Sequence, residues 1–154
     1  EFQISLPILI PPPPTALEEP AVADAAAAPA RSHRVLIIED HAAAASSLKM
    51  LLEDYGHLVA WARSGPEGVE QARAHKPEVV LCDVGLPGLM NGYAVAQALR
   101  ADPELRAAYL IATTGFAQDQ DRRRAQEAGF DVHMTKPLNF DALLQLIERP
   151  ELRP

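Results

Sequence analysis

The chain has 154 residues and a net charge of −7, a balance that argues against a nucleic-acid surface, which needs concentrated lysine and arginine. Its single cysteine, Cys82, excludes an internal disulfide and a multi-cysteine zinc site, and no apolar stretch nears the roughly 20 residues that span a bilayer. It opens on Glu1, with methionine only at Met50, Met90 and Met134, so it reads as a piece of a longer protein, and a cytoplasmic module without membrane contact is expected.

Residues 1–10 carry a strand pattern, too short and too poor in basic flanking residues for a signal peptide. Residues 11–33 are rich in proline and alanine and offer little to bury. They read as a semi-rigid linker in extended polyproline geometry, with an Ala-rich helix over 21–28 as the alternative. From Arg34 the rhythm changes. Val35–Ile38 is a continuous apolar run, as a parallel strand covered on both faces requires. A helix follows with Leu48, Leu51, Leu52 and Tyr55 on one stripe, stopped by Gly56. Leu58–Ala62 is a second strand, and Ser64-Gly65-Pro66-Glu67 has capping-box spacing for a helix ending near His75. Val79–Cys82 is a third strand, and Tyr93–Ala101 a helix with Val95 and Leu99 on one face. Tyr109–Thr113, a helix over 118–128 ended by Gly129, and a strand over 131–135 come next. Asn139 caps a last helix that buries Leu143, Leu144 and Ile147. Five strands alternating with five helices over 34–148 predict a doubly wound α/β domain with the flavodoxin-like strand order 2-1-3-4-5, followed by a tail at 149–154.

In such sheets ligands bind beyond the carboxyl ends of the strands. Those ends carry Glu39 and Asp40, then Asp83, Thr114 and Lys136. Any one acidic residue there could be a helix cap, but all of them converging on one rim points to a site. Three neighbouring carboxylates repel, so one holds a proton or a cation neutralises them. Oxygen ligands without cysteine favour a hard ion, Mg2+ or Mn2+. Asp83, central in the sheet, is then the nucleophile toward phosphorus, Lys136 a second positive charge and Thr114 a hydrogen-bond donor to the phosphoryl oxygens.

RVLIIED, VLCDVGLPG, ATTG and MTKP, in that order and spacing, resemble the response-regulator receiver domain over residues 34–148. The resemblance implies Asp83 as phosphoacceptor, Asp40 as a direct metal ligand, Glu39 acting through water and the Gly85 carbonyl completing the ligands. It also implies Thr114 as switch hydroxyl, Lys136 as phosphate partner and a cis bond before Pro137. EFQISLPI is similar to the last strand of the histidine-kinase ATP-binding domain, which implies the C-terminal receiver of a hybrid sensor kinase whose parent chain can be membrane-anchored. The implied partners are a kinase phosphohistidine and a phosphotransfer protein.

Some positions depart from the family pattern. The first acidic pair is Glu-Asp, and the loop LPGLMNGY is one residue longer around Leu89–Met90. His133 stands at the aromatic switch position, where it is either a signalling residue or a half-exposed strand residue. His41 reads as a solvated residue beginning a helix, although it can face the site, and Arg122–Arg124 as a solvated helix face. The resemblance also implies that Gly85 and Phe116 flank the path of hydrolytic water; neither can act as a base, so slow self-dephosphorylation is expected. Two other classes remain open. An aspartyl-phosphate hydrolase of haloacid-dehalogenase type would want an aspartate where Gly85 stands, and a non-phosphorylated scaffold receiver would not need the full acidic, hydroxyl and lysine set.

Overall fold

The computed structural model describes residues 31–115 and 118–148. The strand expected at 1–10, the linker to residue 30, Phe116 and the tail at 149–154 lie outside the described residues. In chain order the elements are β1 (Arg34–Ile38), α1 (Ala42–Asp54), β2 (Leu58–Ala62), α2 (Gly65–His75), β3 (Val79–Asp83), α3 (Gly92–Ala101), β4 (Tyr109–Thr114), α4 (Asp119–Ala128), β5 (Val132–Thr135) and α5 (Phe140–Glu148). All strand pairs are parallel and the order is β2-β1-β3-β4-β5, as the alternation of elements predicts.

The continuous apolar strands are explained by burial on both faces. Leu36, Ile38, Val80, Cys82, Leu110 and Ala112 join a core with α2, α3 and α4, while Val35, Ile37, Val79, Leu81, Tyr109 and Ile111 join a second core with α1 and α5. Alternate residues of one strand therefore feed opposite cores. Burying a side chain such as Leu36, which is wholly covered, contributes about 1.5–3 kcal/mol. Among the described residues no helix is long and apolar enough to cross a membrane.

Capping residues set the helix starts. Ser64 accepts the Glu67 N–H, while the Glu67 carboxylate accepts the Arg63 N–H at 3.0 Å, so the reciprocal arm of the box closes one residue before the cap. Asn91 and Asn139 cap α3 and α5 through the Ala94 and Ala142 N–H groups.

Two expectations need correction. Leu51 was expected on the buried stripe of α1 but is 43% exposed; the inward stripe runs through Ala45, Leu48, Leu52 and Tyr55, and Leu51 lies to its side. His33, expected in the linker, is buried: its N–H donates to His57 Nδ1, its carbonyl accepts the Leu58 N–H and its ring stacks on His57. Polar pairing, which apolar periodicity does not register, brings it into the domain.

The lengthened loop after β3 is resolved by opposite fates of two side chains. Met90 turns inward against the core and fills the space a Cβ would need at Gly65, where that atom would meet the Met90 carbonyl at 2.6 Å. Leu89 points fully into solvent.

Candidate functional site

The site is built at the carboxyl ends of β1, β3, β4 and β5. Glu39 follows β1, and its backbone is held on two sides: its N–H donates to the Ala62 carbonyl, and its carbonyl accepts the Trp61 indole N–H at 2.9 Å. Asp83 ends β3 opposite Thr113, whose carbonyl accepts the Val84 N–H. Thr114 ends β4, and its carbonyl accepts the Lys136 N–H at 2.7 Å, which ties the start of the β5–α5 connection to the rim. The Lys136–Pro137 bond is cis, as the resemblance implies.

These elements bring Glu39, Asp83 and Lys136 into contact. Lys136 Nζ lies 2.9 Å from Glu39 Oε2 and 3.2 Å from Asp83 Oδ2. The second Asp83 oxygen accepts the Gly85 N–H at 2.8 Å, an Asx-type turn that fixes the carboxylate plane. Glu39 and Asp83 are both buried, and one ammonium serves the two of them. Burial opposes charge on Lys136, but its hydrogen bonds to the two carboxylates and their negative charges outweigh it and hold the ammonium above its usual pKa. Burial pushes the Cys82 thiol well up, with Asp83 and Glu39 adding to the effect, so this cysteine is a packed thiol rather than a nucleophile.

Asp40 stands beside the pair with its side chain 32% exposed. Glu39, Asp40 and His41 each offer one ligand atom, and these atoms lie within 4.8 Å of one another. Asp83, expected in the metal set, does not belong to that compact group; its oxygens are turned to Lys136 and Gly85 instead. Three carboxylates against one ammonium leave an excess of negative charge on oxygen, a donor set that fits a hard divalent cation.

His133 is not part of this contact. It pairs with Ala112 in the β4–β5 ladder, is half-buried and lines a cavity of about 440 Å³ with Arg122, Gln126 and Asp131. Its Nε2 is buried and has no hydrogen-bond partner among the described residues. Burial first, and Arg122 second, lower its pKa against a weaker pull from Asp121.

Two features escaped sequence reading. The Trp61 bond to the Glu39 carbonyl is one: an indole on β2 with a donor to satisfy is the only trace of it in the sequence. The other is an apolar cavity of about 490 Å³ beside the rim, between α1 and the Lys136–Phe140 segment.

Residues 35–148 match the family described as the response regulator receiver domain. Protein PilH of Pseudomonas aeruginosa is 38% identical over 100 residues, 65% of this chain and 82% of PilH. The receiver domain of a signal transduction histidine kinase from Syntrophus aciditrophicus superposes with a TM-score of 0.70 at 32% identity, covering 77% of this chain and 89% of that one. The receiver domain of sensor histidine kinase PA1611 from Pseudomonas aeruginosa PAO1, whose structure has magnesium coordinated in the active site cleft, superposes with a TM-score of 0.68 at 27% identity, covering 78% and 97%.

Proposed function

The chain belongs to the response regulator receiver family, and on that premise we propose that it accepts a phosphoryl group from a phosphohistidine onto Asp83 and so acts as a phosphorylation switch. The observation that carries this reading is the shared contact of Lys136 with Asp83 and Glu39 at the end of the central strand. An Asp83 oxygen attacks phosphorus, the P–N bond to the donor imidazole breaks, and the imidazole leaves with the bonding electrons. Lys136, already aimed at Asp83, transfers its hydrogen bond to a phosphoryl oxygen as charge builds there. Thr114, at the end of the neighbouring strand, donates its hydroxyl to another and so couples the modified site to β4. His133, which pairs with Ala112 on the same strand, is the candidate for a second position of that coupling.

Magnesium fits the excess carboxylate charge. Asp40, the Gly85 carbonyl and Asp83, which would exchange its Lys136 contact for the ion, would hold it directly and Glu39 through water, and it would supply neutralising charge to the phosphoryl oxygens. A hydrolase of haloacid-dehalogenase type is disfavoured because Gly85 brings no second carboxylate to Asp83.

The parent is a hybrid sensor histidine kinase. The likeness of residues 1–8 to a kinase strand supports this, as do similar solved domains that belong to histidine kinases. The partners are the kinase phosphohistidine and a downstream phosphotransfer protein, in the cytoplasm. Residues 34–148, with His33 joined to them, form the receiver unit, so deleting residues 1–30 is expected to leave the melting temperature nearly unchanged. Incubating the chain with Mg2+ and acetyl phosphate should add one phosphate in the wild type and none in Asp83→Asn. Equal incorporation in both would remove the proposal.

A further inference from the structure

The imidazole of His41 is turned toward the carboxylates of Glu39 and Asp40 without bonding to either. Its Nδ1 lies 3.6 Å from Glu39 Oε1 and 3.8 Å from Asp40 Oδ1, both beyond hydrogen-bond length. The backbone gives the ring this place. His41 is the N-cap residue of α1, its N–H donates to Glu39 Oε1 at 3.1 Å, and its side chain makes no capping bond. Two ligand atoms about 2.1 Å from one ion stand about 3.0 Å apart at a right angle and about 3.4 Å apart at the tetrahedral angle. The two separations from His41 Nδ1 are thus a few tenths of an ångström longer than tetrahedral spacing around a common ion, and the three ligand atoms lie within 4.8 Å of one another. The Glu39 carboxylate is meanwhile fixed from its other side, because Oε2 is held by Lys136.

We propose that His41 is a nitrogen ligand of the divalent-ion site and biases it toward borderline first-row transition ions over magnesium. The inference rests on the reading of Glu39 and Asp40 as metal residues; Glu39, which would reach magnesium through water, would meet the softer ion directly through Oε1. Magnesium is met by oxygen ligands and keeps much of its water, whereas an imidazole suits cobalt, nickel and zinc. With oxygen ligands alone the site would lack a donor that separates the two kinds of ion. An imidazole beside them adds binding that only the softer ions can use. The side chain is 81% exposed, so the ring can close on an ion without disturbing the core.

The single tryptophan makes this measurable, since the Trp61 indole is bonded to the Glu39 carbonyl. The full chain is titrated separately with MgCl2 and CoCl2, following Trp61 fluorescence and heat, in wild type, His41→Ala and Asp40→Ala. The expected result is that His41→Ala lowers the ratio of Co2+ to Mg2+ affinity by about tenfold, while Asp40→Ala weakens both ions. If His41→Ala leaves the ratio unchanged while Asp40→Ala still weakens both ions, the nitrogen ligand is refuted and the metal site stands. If neither ion binds the wild type, or Asp40→Ala binds both as well as the wild type does, the metal reading itself fails and the inference falls with it.

Discussion

Lys136 Nζ stands 3.2 Å from Asp83 Oδ2, and the same ammonium is 2.9 Å from Glu39 Oε2. Two buried carboxylates thus share one half-exposed cation, an arrangement that stores negative charge where an incoming phosphoryl group must be received. Lys136→Met is expected to slow phosphorylation of Asp83 by about a hundredfold, the usual cost of losing a charge-stabilising donor. Because the Lys136 pKa is raised, its contribution to stability is fully present below the ordinary lysine value and is lost as pH rises through the raised one. Melting temperatures of wild type and variant should therefore differ at neutral pH and draw together in strong alkali; a constant gap would contradict the pairing.

Gly92 supports the site from beneath. A Cβ there would lie 2.4 Å from the Asp83 carbonyl oxygen and 2.5 Å from Val84 Cα, and neither backbone atom can swing aside. Gly92→Ala should cost about 1–3 kcal/mol in urea unfolding and also slow phosphorylation, because the end of β3 must move. Gly88→Ala is the contrast. Its φ of +91° makes a side chain strained, but nothing lies within 4 Å, so stability should fall while phosphorylation stays unchanged. A Gly92→Ala protein as stable and as readily phosphorylated as wild type would refute the close approach.

His57 should impose a pH dependence on stability. Burial, then the neighbouring His33, lower its pKa against a weaker pull from Glu148, and its Nδ1 is occupied as an acceptor from the His33 N–H. A histidine depressed in the folded state contributes stability that is whole above its ordinary pKa of about 6.5 and is lost as pH falls through that value toward the folded one. Urea midpoints between about pH 7.5 and 5 should decline more steeply in wild type than in His57→Gln. Parallel profiles would show that another group carries the slope.

Much of the architecture was legible because two signals agreed. Val35–Ile38 and Val79–Cys82 are apolar at every position, which only a doubly covered strand explains, and the caps Ser64 and Asn139 fall where the helices start. Reading strand ends alone picked out Glu39, Asp83 and Lys136, now seen in contact. What stayed hidden depends on side-chain direction rather than residue type. The inward turn of Met90, the outward turn of Leu89, the burial of His33 and the facing of His41 toward Asp40 are settled by packing across segments far apart in sequence, or by a cap whose backbone aims the ring.

The lifetime of the phosphorylated state should be long. The receiver resemblance implies that positions 85 and 116 flank the path of hydrolytic water, and glycine and phenylalanine have no group that could orient or deprotonate it. Decay of the purified phosphoprotein should be slower in wild type than in Phe116→Glu and Gly85→Asn. Equal rates in all three would mean that these positions do not set the lifetime.

The acceptor itself can be located chemically. An acyl phosphate on aspartate is reduced by borohydride to homoserine, so reducing the chain after treatment with Mg2+ and acetyl phosphate and sequencing its peptides by mass reads the modified position directly. Homoserine at position 83, dependent on Mg2+, is the result the account predicts; homoserine at position 40, or at no aspartate, would contradict it.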